Sequence, residues 1–131
     1  MPRCTVIPEL AYPDVTEAAD WLCNAFGFTV RVRIANHRVQ LNAGHGAIVV
    51  TERRAAGGLD LCHSTMVRVE NVDTHQEHAT RSGARLLSSA SDYPYGERQY
   101  SVEDPGGHRW TFSQSIRDIA PEEWGGESGE L

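Results

Sequence analysis

One order of predicted elements, a strand followed by a helix and three further strands, occurs twice along this chain of 131 residues. Asp14 precedes an apolar pattern with helical spacing, and Asp73 is followed by Gln76 in the capping-box position, so each aspartate can cap a helix. Gly27 and Gly83 follow the two predicted helices, where glycine can adopt the left-handed conformation that ends a helix. The first pair is separated by 59 residues and the second by 56. The repetition predicts two βαβββ modules of similar size.

The two modules can be delimited by their turns. Gly46 and Gly107 lie in predicted turns 61 residues apart. We place the first module at residues 4–52, a polar linker at 53–62, the second module at 63–118 and an acidic, glycine-rich tail at 119–131. All four belong to one structural domain, since a chain of this length builds a single core. Strands are predicted at residues 4–12, 28–34, 38–43, 47–52, 63–69, 84–89, 98–103 and 108–113.

The composition excludes several classes of partner. The chain carries 12 basic and 18 acidic residues, and its net charge of −6 argues against a nucleic-acid ligand. No apolar run is long enough to cross a bilayer, and the N-terminus lacks an apolar stretch, so we expect a cytoplasmic protein without a membrane partner. The cysteine count of three is odd, which disfavours a disulfide framework.

Short motifs in both halves give the chain a recognisable signature. Residues 104–112 read DPGGHRWTF, residues 95–98 read YGER, and residues 69–73 read VENVD. In the first half, PEL at residues 8–10 is followed by AFGF at residues 25–28. With the doubled βαβββ unit, these motifs resemble the vicinal oxygen chelate superfamily, which includes glyoxalase I, extradiol dioxygenases and bleomycin-binding proteins. The resemblance implies an α+β fold in which two βαβββ modules form a curved mixed sheet with a central cavity.

The resemblance also implies a metal centre, with one ligand from the first and one from the last strand of each module. Counting along the motifs places these positions at Ile7, Val50, Ser64 and Thr111. Divalent metals need carboxylate, imidazole or thiolate ligands, and none of the four side chains carries one. We therefore predict no metal and no cofactor. His63 adjoins Ser64, and a shift of one residue in strand register would turn it inward instead, so its direction stays open.

Strand alternation selects the side chains that would line the cavity. They combine an apolar floor with hydroxyl, amide and charged groups, which suits an organic molecule of moderate size. The predicted ligand-binding residues are Glu9, Val50, Glu52, Ser64, Met66, Arg68, Gln99 and Thr111 from strand alternation, together with Tyr95 and Tyr100, which are expected near the mouth, where they could stack on a planar ligand.

Three functions remain open at this point. The first is a metal-independent small-molecule binding protein of the bleomycin resistance type, which sequesters an apolar or aromatic compound. The second is a lyase, isomerase or dioxygenase of the same superfamily, with a displaced metal or with Glu9 or Glu52 as acid or base. The third is a structural or regulatory module without a ligand. The resemblance further implies a homodimer, although the sequence does not say whether the cavity forms within one chain or across two.

Overall fold

The computed structural model describes residues 6–53 and 64–117, and it arranges them as two four-stranded sheets with two helices. The elements, in chain order, are β1 (Glu9–Tyr12), α1 (Val15–Phe26), β2 (Thr29–Ile34), β3 (Arg38–Ala43), β4 (Gly46–Glu52), β5 (Thr65–Arg68), α2 (Val72–Arg81), β6 (Arg85–Asp92), β7 (Glu97–Glu103) and β8 (Arg109–Ser115).

Both sheets have the same strand order. The first runs β1-β4-β3-β2 and the second β5-β8-β7-β6. The strand before each helix pairs in parallel with the last strand of its module, and the remaining pairs are antiparallel. A parallel pair needs a long crossover, which here includes the helix, whereas short turns suffice for the antiparallel pairs. The predicted α+β fold of two βαβββ modules is confirmed.

The first helix begins and ends where its sequence predicts. The Asp14 carboxylate accepts a hydrogen bond from the backbone N–H of Glu17 at 3.0 Å, which satisfies one of the donors that a helix leaves without a partner. Gly27 ends α1 in the left-handed conformation, with φ of +79°, and its N–H bonds back to the Cys23 carbonyl. Local sequence alone therefore determines both ends of this helix.

The N-cap of the second helix lies two residues before the predicted cap, Asp73. Asn71 is the N-cap, and its side-chain oxygen accepts from the Thr74 backbone N–H at 3.1 Å. Asp73 lies within the first turn and binds Arg98 instead, with a closest distance of 2.9 Å. This hydrogen bond, together with the charge of Arg98, lowers the pKa of the Asp73 carboxyl. The prediction of Asp73 as the cap was wrong because Asn71 is an equally good cap and stands one turn before Thr74.

Both modules contribute to one hydrophobic core, which lies on the helix side of the two sheets. Phe26, at the end of α1, packs edge-on against Phe112 and Trp110 of β8, with ring centroids 4.8 and 5.2 Å away. His75 of α2 donates from Nε2 to the Phe26 carbonyl at 3.2 Å. The end of the first module's helix is therefore buried within the core of the second.

A buried carboxylate joins the modules a second time. Asp104, in the loop before β8, accepts from the Trp110 indole N–H at 2.9 Å and from the Tyr12 hydroxyl at 2.5 Å. It also accepts from the backbone N–H groups of Gly106 and His108. Because Tyr12 belongs to β1, one acidic side chain both shapes the turn of the second module and binds the first.

Several sequence predictions fall on residues that the structure does not describe. These are the tail at 119–131, all of the linker at 53–62 except Arg53, and the direction of His63. Cys4 and Cys62 also lie outside the described ranges, while Cys23 is a free thiol. No helix within residues 6–53 and 64–117 has the length and apolar character needed to span a membrane.

Candidate functional site

Each sheet has an open face, by which we mean the face directed away from the helices. In the second sheet, strand pairing aligns Met66 with Thr111, Thr111 with Ser101, and Ser113 with both Arg68 and Gln99. The residues between them, such as Trp110 and Phe112, belong to the core. Residues paired across neighbouring strands share a face, so the predicted facing of β5, β7 and β8 is confirmed.

A directed series of hydrogen bonds crosses this open face. The Tyr95 hydroxyl donates to the Gln99 side-chain oxygen at 3.2 Å, and the Gln99 amide donates to Ser113 Oγ at 3.0 Å. Ser113 in turn donates to Glu97 Oε1 at 2.8 Å. Burial, with the nearby Tyr93 and Glu97, raises the pKa of Tyr95, which keeps its hydroxyl a donor. These four side chains therefore hold one another in defined positions.

Arg68 lies at the end of this series. Its Nη2 is 3.7 Å from Glu97 Oε1, which is an ion pair by distance but too long for a hydrogen bond. The Arg68 side chain is 76% exposed, whereas that of Glu97 is 17% exposed. Screening by water makes such a pair contribute little to folding stability. Both groups can therefore interact with a molecule that binds to the open face.

Next to the charged end, the same face presents a neutral surface. Ser101 and Thr111 share a hydrogen bond of 2.9 Å between their hydroxyl groups. Met66 is paired with Thr111 and is 61% exposed, which is high for a large apolar side chain. A flexible thioether beside two hydroxyls provides both an apolar contact and polar anchors.

The open face of the first sheet is less accessible to solvent than that of the second. Val49 and Ala47 of β4 are buried there, and Gln40 of β3 accepts from Arg31 at 3.1 Å. Glu9 lies on this face and forms an exposed ion pair with Arg38 at 3.1 Å. The role of Glu9 as an acid or base stays a prediction.

The predicted facing is wrong for Val50, and the predicted place of Tyr100 near the cavity mouth is wrong as well. Both are fully buried in the core on the helix side, as is Ile48, so none of them lines an open face. The Tyr100 hydroxyl hydrogen-bonds His75 Nδ1 of α2, and burial raises the pKa of Tyr100. Glu52 shares the parity of Val50 and is exposed at the end of β4.

Strand register explains the error in β4. Glu9 pairs with Val49 in the first module, and Met66 pairs with Thr111 in the second. Val49 in the last strand of the first module therefore corresponds to Thr111 in the last strand of the second. These two residues are 62 positions apart, one more than the 61 positions between the turn glycines Gly46 and Gly107. A shift of one residue exchanges the two faces of a strand. Thr111 thus corresponds to Val49 and not to Val50.

With this correction, the four positions of the implied metal centre are Ile7, Val49, Ser64 and Thr111. Two are aliphatic and two carry neutral hydroxyls, which does not fit a divalent metal ion. Within the described ranges no three His, Cys, Asp or Glu side chains are grouped so that they could hold a metal. His63 is not among these residues. The chemistry of the donor set therefore disagrees with the metal centre that the resemblance implies.

The groove at the junction of the modules has a volume of about 500 Å³. It lies between the β3–β4 turn and β5, and its lining includes Pro8, His45, Met66 and Arg68. This volume lies within the range of small-molecule sites. A second pocket, of about 190 Å³, lies at the start of α1 beside Trp21.

Sequence reasoning missed Glu97 and Ser113 as members of the polar series. Ser113 is absent from the predicted ligand-binding residues, and the predicted strand at 98–103 begins one residue after Glu97. The parity of Gln99 could have identified Glu97, because residues two apart on a strand share a face. Ser64 is exposed just before β5. Ligand contact by Ser64, Met66, Arg68, Tyr95, Gln99 and Thr111 stays a prediction.

Comparison with known families and structures gives a consistent result. The family model described as Glyoxalase/Bleomycin resistance protein/Dioxygenase superfamily matches residues 4–112. The crystal structure of TioX from Micromonospora sp. ML1 is similar with 32% identity and a TM-score of 0.73, covering 89% of this chain and 100% of that one. A family enzyme from Burkholderia phytofirmans PsJN shares the fold at 16% identity, with a TM-score of 0.74 and coverage of 84% and 97%.

Curated relatives are similar over a shorter segment. An uncharacterized protein of Mycobacterium tuberculosis (strain H37Rv) is 33% identical over 55 residues, which is 42% of this chain. A protein of Mycobacterium bovis matches at the same identity and over the same length. The matched segment spans about a third of the length of these relatives, 32% and 36% respectively.

Proposed function

We infer the function from one premise: this chain belongs to the Glyoxalase/Bleomycin resistance protein/Dioxygenase superfamily. We propose that it is a small-molecule binding protein of the bleomycin resistance type, which sequesters an apolar or aromatic compound without a metal ion. The observation that carries this proposal is the donor set, since Ile7, Val49, Ser64 and Thr111 offer no carboxylate, imidazole or thiolate.

The second-sheet open face is the proposed binding surface. Met66 supplies an exposed apolar contact, and the hydroxyls of Ser101 and Thr111 lie beside it. The hydrogen-bonded series that ends at Glu97 holds polar groups in place at one side. Binding sites commonly combine apolar area with a few positioned polar groups, which orient the ligand.

We also propose that the protein is a homodimer in solution. Strands β2 and β6 each form one of the two edges of their sheet. They expose apolar side chains, among them Ile34 at 42% and Leu87 at 39%. A second copy that covers these strands would remove apolar area from water and enclose the open faces. Sedimentation analysis should give twice the chain mass, and a monomer at all concentrations would contradict this proposal.

A ligand screen by thermal shift tests the binding function. A ligand at 100 times its Kd should stabilise the folded protein by about 2.7 kcal/mol. Thr111→Val and Tyr100→Phe form a matched pair, because each removes one hydroxyl but only Thr111 lies on the open face. We expect the first to weaken binding and the second to leave the Kd unchanged.

Metal analysis and turnover assays separate binding from catalysis. We expect purified protein to contain no stoichiometric zinc, iron or manganese, and added metal to leave the Tm unchanged. A bound metal at one per chain would revive the lyase, isomerase or dioxygenase alternative. So would turnover of a screened compound that is abolished in Glu9→Gln.

A further inference from the structure

Arg68 and Glu97 face each other across a gap that neither group closes. The 3.7 Å between Arg68 Nη2 and Glu97 Oε1 exceeds hydrogen-bond distance, so the pair consumes none of the guanidinium's donors. Among the described residues, no side chain or backbone group accepts a hydrogen bond from the Arg68 guanidinium. The open face therefore carries a set of donors beside an acceptor, without a bond between them.

The Glu97 carboxylate is held in position through one of its two oxygens, Oε1. Ser113 donates to Oε1, and Ser113 is held by Gln99, which is held by Tyr95. Within the part of the chain that the structure describes, no donor reaches the second carboxylate oxygen, Oε2. A carboxylate has about four lone-pair sites, so Glu97 retains acceptor capacity while its orientation is already set.

Adjacent opposite charges discriminate between ligand classes. A carboxylate would be attracted by Arg68 but repelled by Glu97. An ammonium group would be attracted by Glu97 but repelled by Arg68. An uncharged planar amide presents an N–H donor and a carbonyl acceptor side by side, and it would satisfy both groups without repulsion. Leaving either group desolvated and unsatisfied would cost affinity, which gives the site its selectivity.

We propose that Arg68 and Glu97 form a subsite for an uncharged planar amide of the ligand, as in a carboxamide, a lactam or a peptide bond. The amide N–H donates to Glu97 Oε2, and the amide carbonyl accepts from the Arg68 guanidinium. The exposed Met66 receives the apolar part of the ligand that carries the amide. This inference rests on the proposed binding function and names the chemical class that the open face selects.

Three fragments that share a phenyl ring and differ in their polar group test the selectivity. Benzamide, benzoate and benzylammonium are titrated into the ¹⁵N-labelled full chain, and Kd values are read from the backbone amide shifts of residues 66–68, 97–99 and 113. We expect benzamide to bind at least about tenfold more tightly than either charged fragment, which corresponds to about 1.4 kcal/mol. Equal binding of benzoate or benzylammonium at these residues would overturn the proposal.

Charge-removing variants give an opposite and therefore diagnostic response. Glu97→Gln removes the repulsion, so benzoate should bind more tightly than in the wild type while benzamide binds more weakly. Arg68→Gln should improve benzylammonium in the same way. If neither variant changes the order of the three fragments, the proposal is wrong.

The chain offers a matched control pair. Arg85 and Glu103 are 3.9 Å apart, and their side chains are 75% and 25% exposed, close to the values for Arg68 and Glu97. They lie near the opposite end of β7, and six residues of strand span roughly 20 Å. Arg85→Gln and Glu103→Gln should leave all three affinities unchanged, and a loss of selectivity in these variants would contradict a local subsite.

Failure of the subsite differs from failure of the proposed function. If screened ligands shift residues 66, 101 and 111 while benzamide leaves residues 66–68 and 97–99 unshifted, the amide subsite is refuted and the binding function is retained. If neither the screened ligands nor the fragments shift any residue of the open faces, both are refuted.

Discussion

Replacement of Gly106 by alanine tests how closely the two modules are packed. A Cβ at this position would lie 2.4 Å from Tyr12 Cδ1 and 2.6 Å from Cε1, against an optimum of about 3.5–4.0 Å between carbon atoms. Gly106 is not among the glycines with positive φ, so alanine brings no backbone strain. The cost therefore comes from the contact between the modules alone.

The Tyr12 ring is held in place by its other contacts. Its hydroxyl is bonded to Asp104, its ring lies at a tilt against that of His108 with centroids 4.6 Å apart, and the residue is buried. Overpacking of this kind costs about 1–3 kcal/mol. For a chain of this length, each kcal/mol should lower the Tm by roughly 3–5 °C.

A double-mutant cycle isolates this contact. Urea unfolding should show that Gly106→Ala destabilises the wild type by about 1–3 kcal/mol. In a Tyr12→Val background the ring is absent, so the same replacement should be neutral or stabilising by about 0.4–1 kcal/mol, through the lower entropy of the unfolded chain. The reasoning is refuted if Gly106→Ala costs the same in both backgrounds within about 0.5 kcal/mol.

Three further outcomes follow from the buried polar groups. Tyr12→Phe removes a donor to the Asp104 carboxylate and should cost about 1.5–3 kcal/mol in urea unfolding, whereas a loss below about 0.5 kcal/mol would contradict the importance of that bond. Tyr100→Phe should cost about 0.5–1.5 kcal/mol through its bond to His75, and an unchanged stability would show that this bond contributes nothing. Burial lowers the pKa of His75 in the folded state, so its contribution to stability is complete above the unfolded pKa of about 6.5 and is lost as the pH falls toward the folded pKa. His75→Gln should therefore flatten the dependence of Tm on pH between 7 and 5, and an unchanged slope would rule out His75 as its source.

Strands β8 and β4 show when a local sequence pattern predicts which face of a strand is buried and when it does not. In β8 the large core residues Trp110 and Phe112 alternate with polar ones, so the sequence gives the correct face. In β4, residues 47–50 are all apolar and all buried, so no alternation distinguishes the two faces. The spacing of the turns then has to predict the facing, and a difference of one residue in that spacing reverses it and puts Val50 on the wrong side.

The polar series of the candidate site could be only partly predicted. Strand parity predicts Gln99 and Arg68, and position near the mouth predicts Tyr95, but their connection through Ser113 to Glu97 depends on the register of three strands. Sequence reasoning also assigned Tyr100 to the ligand, although its neighbour Gln99 has the opposite facing. Side-chain partners on different strands are set by pairing, which one sequence does not state.

The amino-acid sequence by itself determined the two-module order, the limits of α1 and the residue types that leave the implied metal centre without ligands. These depend on caps, turns and the chemistry of single side chains, which act within a few residues. Only the tertiary structure decided which face of β4 is buried in the core and how far Arg68 lies from Glu97. It also decided the hydrogen bond from the Tyr12 hydroxyl to Asp104, two residues that are 92 positions apart in the sequence. Such contacts join groups that are brought together by packing of the whole chain, so their geometry is absent from any local pattern.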